Sequence, residues 1–268
     1  MFSVGSSMTD KIVVQKDGGV GHIRLNQPEK HNAISYEMWQ GMARAIDDFE
    51  SDDAVRVIVL SGEGGRAFSA GADISQFEAQ RGTADAVEVY NATMGRAYEK
   101  LAHVLKPTIA KIAGYCIGGG LATALCCDLR IASDDSSFAI PAAKLGLGYG
   151  YGALKPLVGL VGPANACEIL FTARRFNASE AYHMGLINRV LSRDALDAYV
   201  DDYAETIAGN APLTISATKQ IIAEIGKDAD ERDLDLCQRV IDACFASEDY
   251  KEGRAAFMEK RKPDFQGR

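Results

Sequence analysis

Apolar positions along this 268-residue chain fall into two regimes. Up to about residue 190, short runs of β-strand character alternate with runs of helical period; beyond it the period is almost wholly helical. Lys11–Gln15 and Val20–Leu25 alternate apolar and polar around Asp17-Gly18-Gly19, the pattern of a β-hairpin. Ser35 is placed to cap a helix running to about Asp52, with Met38, Met42, Ala45, Ile46 and Phe49 on one face. Val55–Leu60 is an apolar, mainly β-branched run interrupted only by Arg56, as expected of a strand buried on both sides. A helix through Thr83–Lys106, ended by Pro107, leads to a second buried strand at Thr108–Ala113, a short helix at Leu121–Cys127 and a strand at Leu129–Ala132. Phe138–Gly152 is glycine-rich and reads as irregular. Helices follow at Ala164–Phe171, Ala178–Met184, Asp194–Ala208, Pro212–Ile225, Asp230–Ala246 and Glu248–Lys260, interrupted by one short strand at Leu186–Leu191.

Strands alternating with helices imply an α/β fold of parallel units. The expected organisation is a disordered extension at 1–10 (Met8 being an alternative start), a core at 11–195, and a helical cap or oligomer-forming layer at 196–268. No apolar run approaches the ~20 residues that cross a bilayer, and no secretory signal opens the chain. Twenty-nine basic against 37 acidic residues give a net charge of −8. That balance argues against nucleic acid, whose phosphates require a basic surface. Six cysteines without a C-x-x-C pair, most of them in apolar runs, read as buried reduced thiols of a cytoplasmic protein. The four histidines are scattered without ligand spacing, so no metal site is expected; His103 and His183 read as surface or packing residues of helices.

Chemistry concentrates in two glycine-punctuated segments, Ser69-Ala70-Gly71-Ala72-Asp73-Ile74 and Gly114-Tyr115-Cys116-Ile117-Gly118-Gly119-Gly120. Each follows an apolar β-type run and leads toward a helical one. Two such turns can aim backbone N–H groups at one point, which is what a developing oxyanion requires. Close helix-on-strand packing would use the same glycines. Gly148-Tyr149-Gly150-Tyr151-Gly152-Ala153 fits G-x-G-x-x-A but lies late in the chain and lacks a strand before it, so dinucleotide binding is not supported.

Ala67–Ile74, Lys106–Ala110, Gly114–Gly120, Cys127-Asp128-Leu129-Arg130-Ile131-Ala132, Phe171-Thr172-Ala173, Ala181–Val190 and Phe257–Phe265 occur in an order that resembles the enoyl-CoA hydratase/isomerase (crotonase) superfamily. The resemblance implies a spiral of ββα units with a helical C-terminal trimerisation region, giving a trimer or a dimer of trimers. It implies an acyl-CoA thioester as substrate, with coenzyme A as part of that substrate and no separate cofactor. By position, Ala72 and Gly119 would supply the two N–H donors to the thioester oxygen. Ala70, Gly71, Asp73, Ile74 and Gly118 would line the substrate site beside them, and Lys30 and Lys262 would meet the CoA phosphates. Asp73 is also placed to cap a helix beginning near Ile74.

One departure matters. Hydratases of this family carry two glutamates that hold the water and exchange its proton. Those positions are Ala122, two residues after the triple glycine, and Ala142, after Pro141. Alanine neither binds nor ionises. Three readings stay open: a nominal enoyl-CoA hydratase with a different acid/base set, a decarboxylase or C–C lyase that uses Tyr149, and an acyl-CoA-binding homologue without catalysis. Asp128 and Glu168 read as packing or salt-bridge residues.

Overall fold

The structure is a computed structural model and describes residues 9–73 and 84–268. Residues 1–8 of the expected extension at 1–10, and the expected start of a helix near Ile74, lie outside them.

β1 (Ile12–Asp17) and β2 (Val20–Leu25) form the hairpin, with Asp17 opposite Val20 across Gly18-Gly19. α1 (Tyr36–Glu50) starts where Ser35 accepts from the Met38 N–H at 3.3 Å, and it buries the face read from its period. β3 (Val57–Gly62) then lies parallel to β2. β5 (Thr108–Ile112), β7 (Leu129–Ser133) and β10 (Arg189–Leu191) extend a six-stranded sheet of order β1-β2-β3-β5-β7-β10, parallel apart from the hairpin. Alternate residues of β3 enter opposite cores. Ile58 and Leu60 pack with Trp39, Met42 and Ile46 of α1 and with Leu101 of α2 (Ala84–His103). Val57 and Val59 pack with Leu196, Val200 and Ala204 of α7 (Leu196–Ala208). A strand whose first four residues are all apolar is therefore sandwiched between helical layers.

A second sheet was not visible in the pattern. β4 (Ala67–Ser69), β6 (Tyr115–Ile117), β8 (Ser137–Ala139) and β9 (Phe176–Asn177) form four short strands in the order β4-β6-β8-β9. Each long strand β3, β5 and β7 is followed by a bend and then by one of these short strands, which makes the repeating unit ββα. The bend after β5 needs Gly114 (φ 72°): a Cβ there would stand 2.1 Å from the Arg66 carbonyl oxygen. Runs of two or three residues are too short to show a two-residue period, so these strands read as the edges of glycine turns.

Four expectations need correction. The stretch Phe138–Gly152 is not wholly irregular, since it contains β8 and a single helical turn α4 (Ala142–Leu145). The helix expected at Ala164–Phe171 is the second half of α5 (Tyr151–Thr172). That 22-residue stretch is long and apolar enough to cross a membrane by length and composition, contrary to the sequence reading. It is not one continuous helix, because Gly162 interrupts it with φ 73° and ψ 165° just before Pro163. Among the thiols, Cys116 and Cys127 are buried, whereas Cys167 on α5 is exposed.

α3 (Gly119–Leu125), α6 (Ala178–His183), α8 (Pro212–Ile225), α9 (Leu234–Ala246) and α10 (Glu248–Glu259) complete the described helices. His22 of β2 is half-buried between the sheet and α7. Burial holds its imidazole below the ordinary value of 6.5; Arg24 and Lys111 add to this, while Asp201 and Asp17 oppose it. The unfolded chain therefore takes the proton first as pH falls. His22 contributes stability that is present above about pH 6.5 and is lost as pH drops through the lower folded value. His22→Gln should flatten the pH dependence of the denaturation midpoint between pH 7 and 5; an unchanged slope would assign it to other groups.

Candidate functional site

β4 and β6 are adjacent parallel strands, with Ala67 beside Tyr115 and Ser69 beside Cys116. The turns at their C-terminal ends therefore emerge side by side. After β4, Ile34 donates to the Gly71 carbonyl (2.7 Å) and accepts from the Asp73 N–H (3.0 Å), forming a parallel bridge opposite Ala72. Both bonds use Ala72's neighbours, so the Ala72 N–H points away from Ile34. It donates to no acceptor among the described residues.

After β6, Gly118 takes φ 53° and ψ −118°, a conformation open to glycine. Its N–H donates to Ala139 of β8 (2.8 Å), and its carbonyl accepts from the Ala122 N–H (3.0 Å). Gly119 is the first residue of α3, so its own N–H has no partner inside the helix. Because N–H and C=O of one peptide point in opposite directions, the bond from Ala122 to the Gly118 carbonyl turns the Gly119 N–H away from α3.

The two nitrogens lie close together on adjacent turns. A methyl group at Gly119 would stand 3.3 Å from the Ala72 nitrogen, and one at Gly71 would stand 3.3 Å from the Gly119 nitrogen. The third glycine serves a different purpose. A Cβ on Gly120 would lie 2.5 Å from the Ser69 carbonyl oxygen, so its absence lets α3 close onto β4. Ser69 is fully buried, and its hydroxyl accepts from the Gly71 N–H at 3.1 Å.

The other predicted residues divide between the site and its surroundings. Ala70 is exposed and donates to the His31 carbonyl (2.9 Å). Asp73 is buried, and its carboxylate holds the Lys30 ammonium at 2.9 Å, with the Gln27 amide at 3.5 Å. This anchors Lys30 to the segment that carries Ala72. Whether Asp73 also caps a helix falls on residues outside the described set, as does Ile74. Pro141 approaches the turn after β6 from the β8 side, its Cδ lying 3.9 Å from where a Gly118 Cβ would be. Ala142 is buried at the start of α4, and Ala122 is half-buried on the first turn of α3. Tyr149 is half-buried against the main core, and burial pushes its phenol up. Lys262 is exposed beyond α10. The tail around it is held by Glu252 and Asp249 of α10 and by Arg56, which places it with the C-terminal helices rather than with Lys30.

Sequence reasoning missed Tyr98 of α2. Its hydroxyl donates to the Gly119 carbonyl at 3.3 Å, and Thr123 donates to the same oxygen at 2.8 Å. Its ring meets the Trp39 indole edge-on, with centroids 5.1 Å apart. Burial pushes the Tyr98 phenol well above the usual tyrosine value, reinforced by Cys126 and Tyr149 nearby, so it is a neutral donor across the working pH range. The Cys126 thiol is likewise pushed up to about 12 by burial. Asp128 and Glu168 are structural as expected: Asp128 accepts from Thr108 and from Lys219 (2.7 Å), and Glu168 pairs with Arg174 (2.9 Å). His103 and His183 are exposed on α2 and α6.

The family model for enoyl-CoA hydratase/isomerase matches residues 15–268. The chain belongs to the enoyl-CoA hydratase/isomerase family. It is 33% identical to the short-chain-enoyl-CoA hydratase of Clostridium acetobutylicum, over 94% of this chain and 96% of that one. It is 34% identical to a peroxisomal Δ(3,5)-Δ(2,4)-dienoyl-CoA isomerase of Arabidopsis thaliana, over 93% of each. The crystal structure of an enoyl-CoA hydratase/carnithine racemase from Magnetospirillum magneticum superimposes with a TM-score of 0.90 at 37% identity, covering 97% of each chain. Relatives named for different reactions thus share the fold, so the reaction must be argued from the side chains around the hole.

Gly120→Ala should destabilise the protein by about 1–3 kcal/mol, since backbone rather than a flexible side chain meets the new methyl. Urea denaturation monitored by Trp39 fluorescence checks this. An unchanged midpoint would mean that α3 can retreat from Ser69 without cost.

Proposed function

We propose that this chain binds an acyl-CoA thioester and stabilises its enolate between the Ala72 and Gly119 N–H groups, without the two-carboxylate hydration apparatus. The observation that carries this is a pair of N–H groups, close together on adjacent turns and without an acceptor among the described residues. Such fixed donors are worth about 3–4 kcal/mol each to a developing oxyanion. The positions that the family resemblance gives to the hydratase glutamates are Ala122 and Ala142. Tyr98, which bonds the Gly119 carbonyl, and the nearby Tyr149 and Cys126 are all driven toward their neutral forms by burial. This set suits a reaction in which the substrate generates the enolate itself, or in which a neutral donor returns a proton to it. Loss of CO₂ from a malonyl-type thioester is such a reaction, with Tyr149 orienting the carboxylate or delivering the proton. Nominal hydration remains the second reading, favoured by the relatives' names, and acyl-CoA binding without turnover the third. Lys30, anchored on Asp73 yet partly exposed, is the proposed contact for the CoA phosphates; Lys262, held with the C-terminal helices, would join it only from a neighbouring copy in the assembly proposed below.

Gly119→Ala tests the reading directly. Gly119 does not have a left-handed φ, so its backbone accepts a methyl, which would then occupy the opening. The variant should fold normally and lose at least about a hundredfold in enzyme-dependent exchange of the α-protons of butyryl-CoA in D₂O. Exchange equal to wild type would remove the hole from the mechanism. If wild type itself shows no exchange, no CO₂ release from methylmalonyl-CoA and no crotonyl-CoA hydration, only the binding reading survives.

We further propose that copies of this chain assemble through the C-terminal helices as a trimer or a dimer of trimers. Phe257 is 83% exposed and Met258 80%. Phe257 and Phe245 line an apolar groove of about 600 Å³ between α8, α9 and α10. Phe245→Asp with Phe257→Asp should shift the mass measured by light scattering to that of a monomer; an unchanged mass would place the interface elsewhere.

A further inference from the structure

The peptide that presents the Gly119 N–H lies within a run of three glycines, the most flexible backbone the chain could use. A donor adds to catalysis only if its direction is fixed before charge develops. Three anchors surround that peptide. The Gly118 N–H is held by Ala139, and the Gly118 carbonyl by the Ala122 N–H. The third acts on the Gly119 carbonyl, where two hydroxyls converge. Thr123 reaches it from within α3, four residues on, as helical threonines commonly do. Tyr98 reaches it from another helix, α2, so this bond fixes α3 relative to the rest of the fold. The Tyr98 ring is itself braced by Trp39, whose indole N–H donates to Tyr90 at 3.2 Å. A methyl on Gly119 would also stand 3.6 Å from the Tyr98 hydroxyl oxygen, so the phenol borders the opening as well as clamping its frame.

We propose that Tyr98 is a positioning residue of the hole: its hydroxyl, bonded to the Gly119 carbonyl, holds the Gly119 N–H in the direction a thioester oxygen requires. The inference rests on the reading of Ala72 and Gly119 as an oxyanion hole. A residue that served packing alone would act through its ring, which Tyr98→Phe retains.

The test is infrared difference spectroscopy of [1-¹³C]butyryl-CoA bound to the full-length protein, with affinity and thermal midpoint measured on the same samples. In wild type the thioester carbonyl band should move to lower frequency on binding, because two N–H donors polarise it. Tyr98→Phe should lose about half of that downshift and about tenfold in α-proton exchange, while binding butyryl-CoA within about twofold of wild type. A folded Tyr98→Phe protein with the full downshift and wild-type exchange overturns the inference and leaves the hole intact. No downshift in wild type overturns the hole itself, and this inference with it. Should Tyr98→Phe fail to fold, replacing Tyr98 with 3-fluorotyrosine keeps ring and hydroxyl and strengthens the donor. A deeper downshift then supports the role, and an unchanged band refutes it.

Discussion

The approach of Gly120 to Ser69 is the constraint on which the site depends. With 2.5 Å between a hypothetical Cβ and the Ser69 carbonyl oxygen, no other residue fits without moving α3 or β4. That contact sets the distance between the turn after β4 and the turn after β6, and so the distance between the Ala72 and Gly119 nitrogens. The short second sheet provides the lateral alignment, since β4 and β6 are hydrogen-bonded neighbours. The large sheet and its helices form the rigid base from which both turns project.

The same helix is fixed at its other end by Arg130, a buried cation without a carboxylate partner among its hydrogen bonds. Its guanidinium donates to carbonyls of Cys127 (2.6 Å), Leu186 (2.9 Å) and Ala124 (3.5 Å). The carbonyls at the end of a helix lack partners within it, and a cation there satisfies them while meeting the negative end of the dipole. Burial lowers the Arg130 pKa, yet guanidinium starts from so high a value that the charge persists. A seven-residue helix, too short to be stable alone, is thus held between Tyr98 and Ser69 at one end and Arg130 at the other.

What could be read in the sequence follows the range over which each signal acts. α1 was legible because its cap and five buried positions repeat within fifteen residues. β3 was legible because both of its faces are apolar. The strands β4, β6, β8 and β9 were not, since their pairing is a tertiary matter and their length carries no period. The first half of α5 was hidden by Gly148–Gly152 and Pro156, which read as breakers although Pro156 falls within the helix. At the site, the two turns stood out through their glycines, and the resemblance named Ala72 and Gly119 within them. Tyr98 left no such mark: it sits 21 residues before Gly119 on an ordinary amphipathic helix. The only available hint was that a tyrosine on an inward-facing stripe, beside buried Ala97 and Leu101, must find a partner for its hydroxyl.

Placing both donors on the main chain has an evolutionary corollary. Catalytic groups on side chains can disappear through a single codon change, and on the proposed reading Ala122 and Ala142 are such a case. The Ala72 and Gly119 amides belong to every residue that can occupy those positions except proline. A lineage can therefore exchange the proton-handling chemistry around the hole many times over, while the hole itself survives for as long as nothing bulky grows into it.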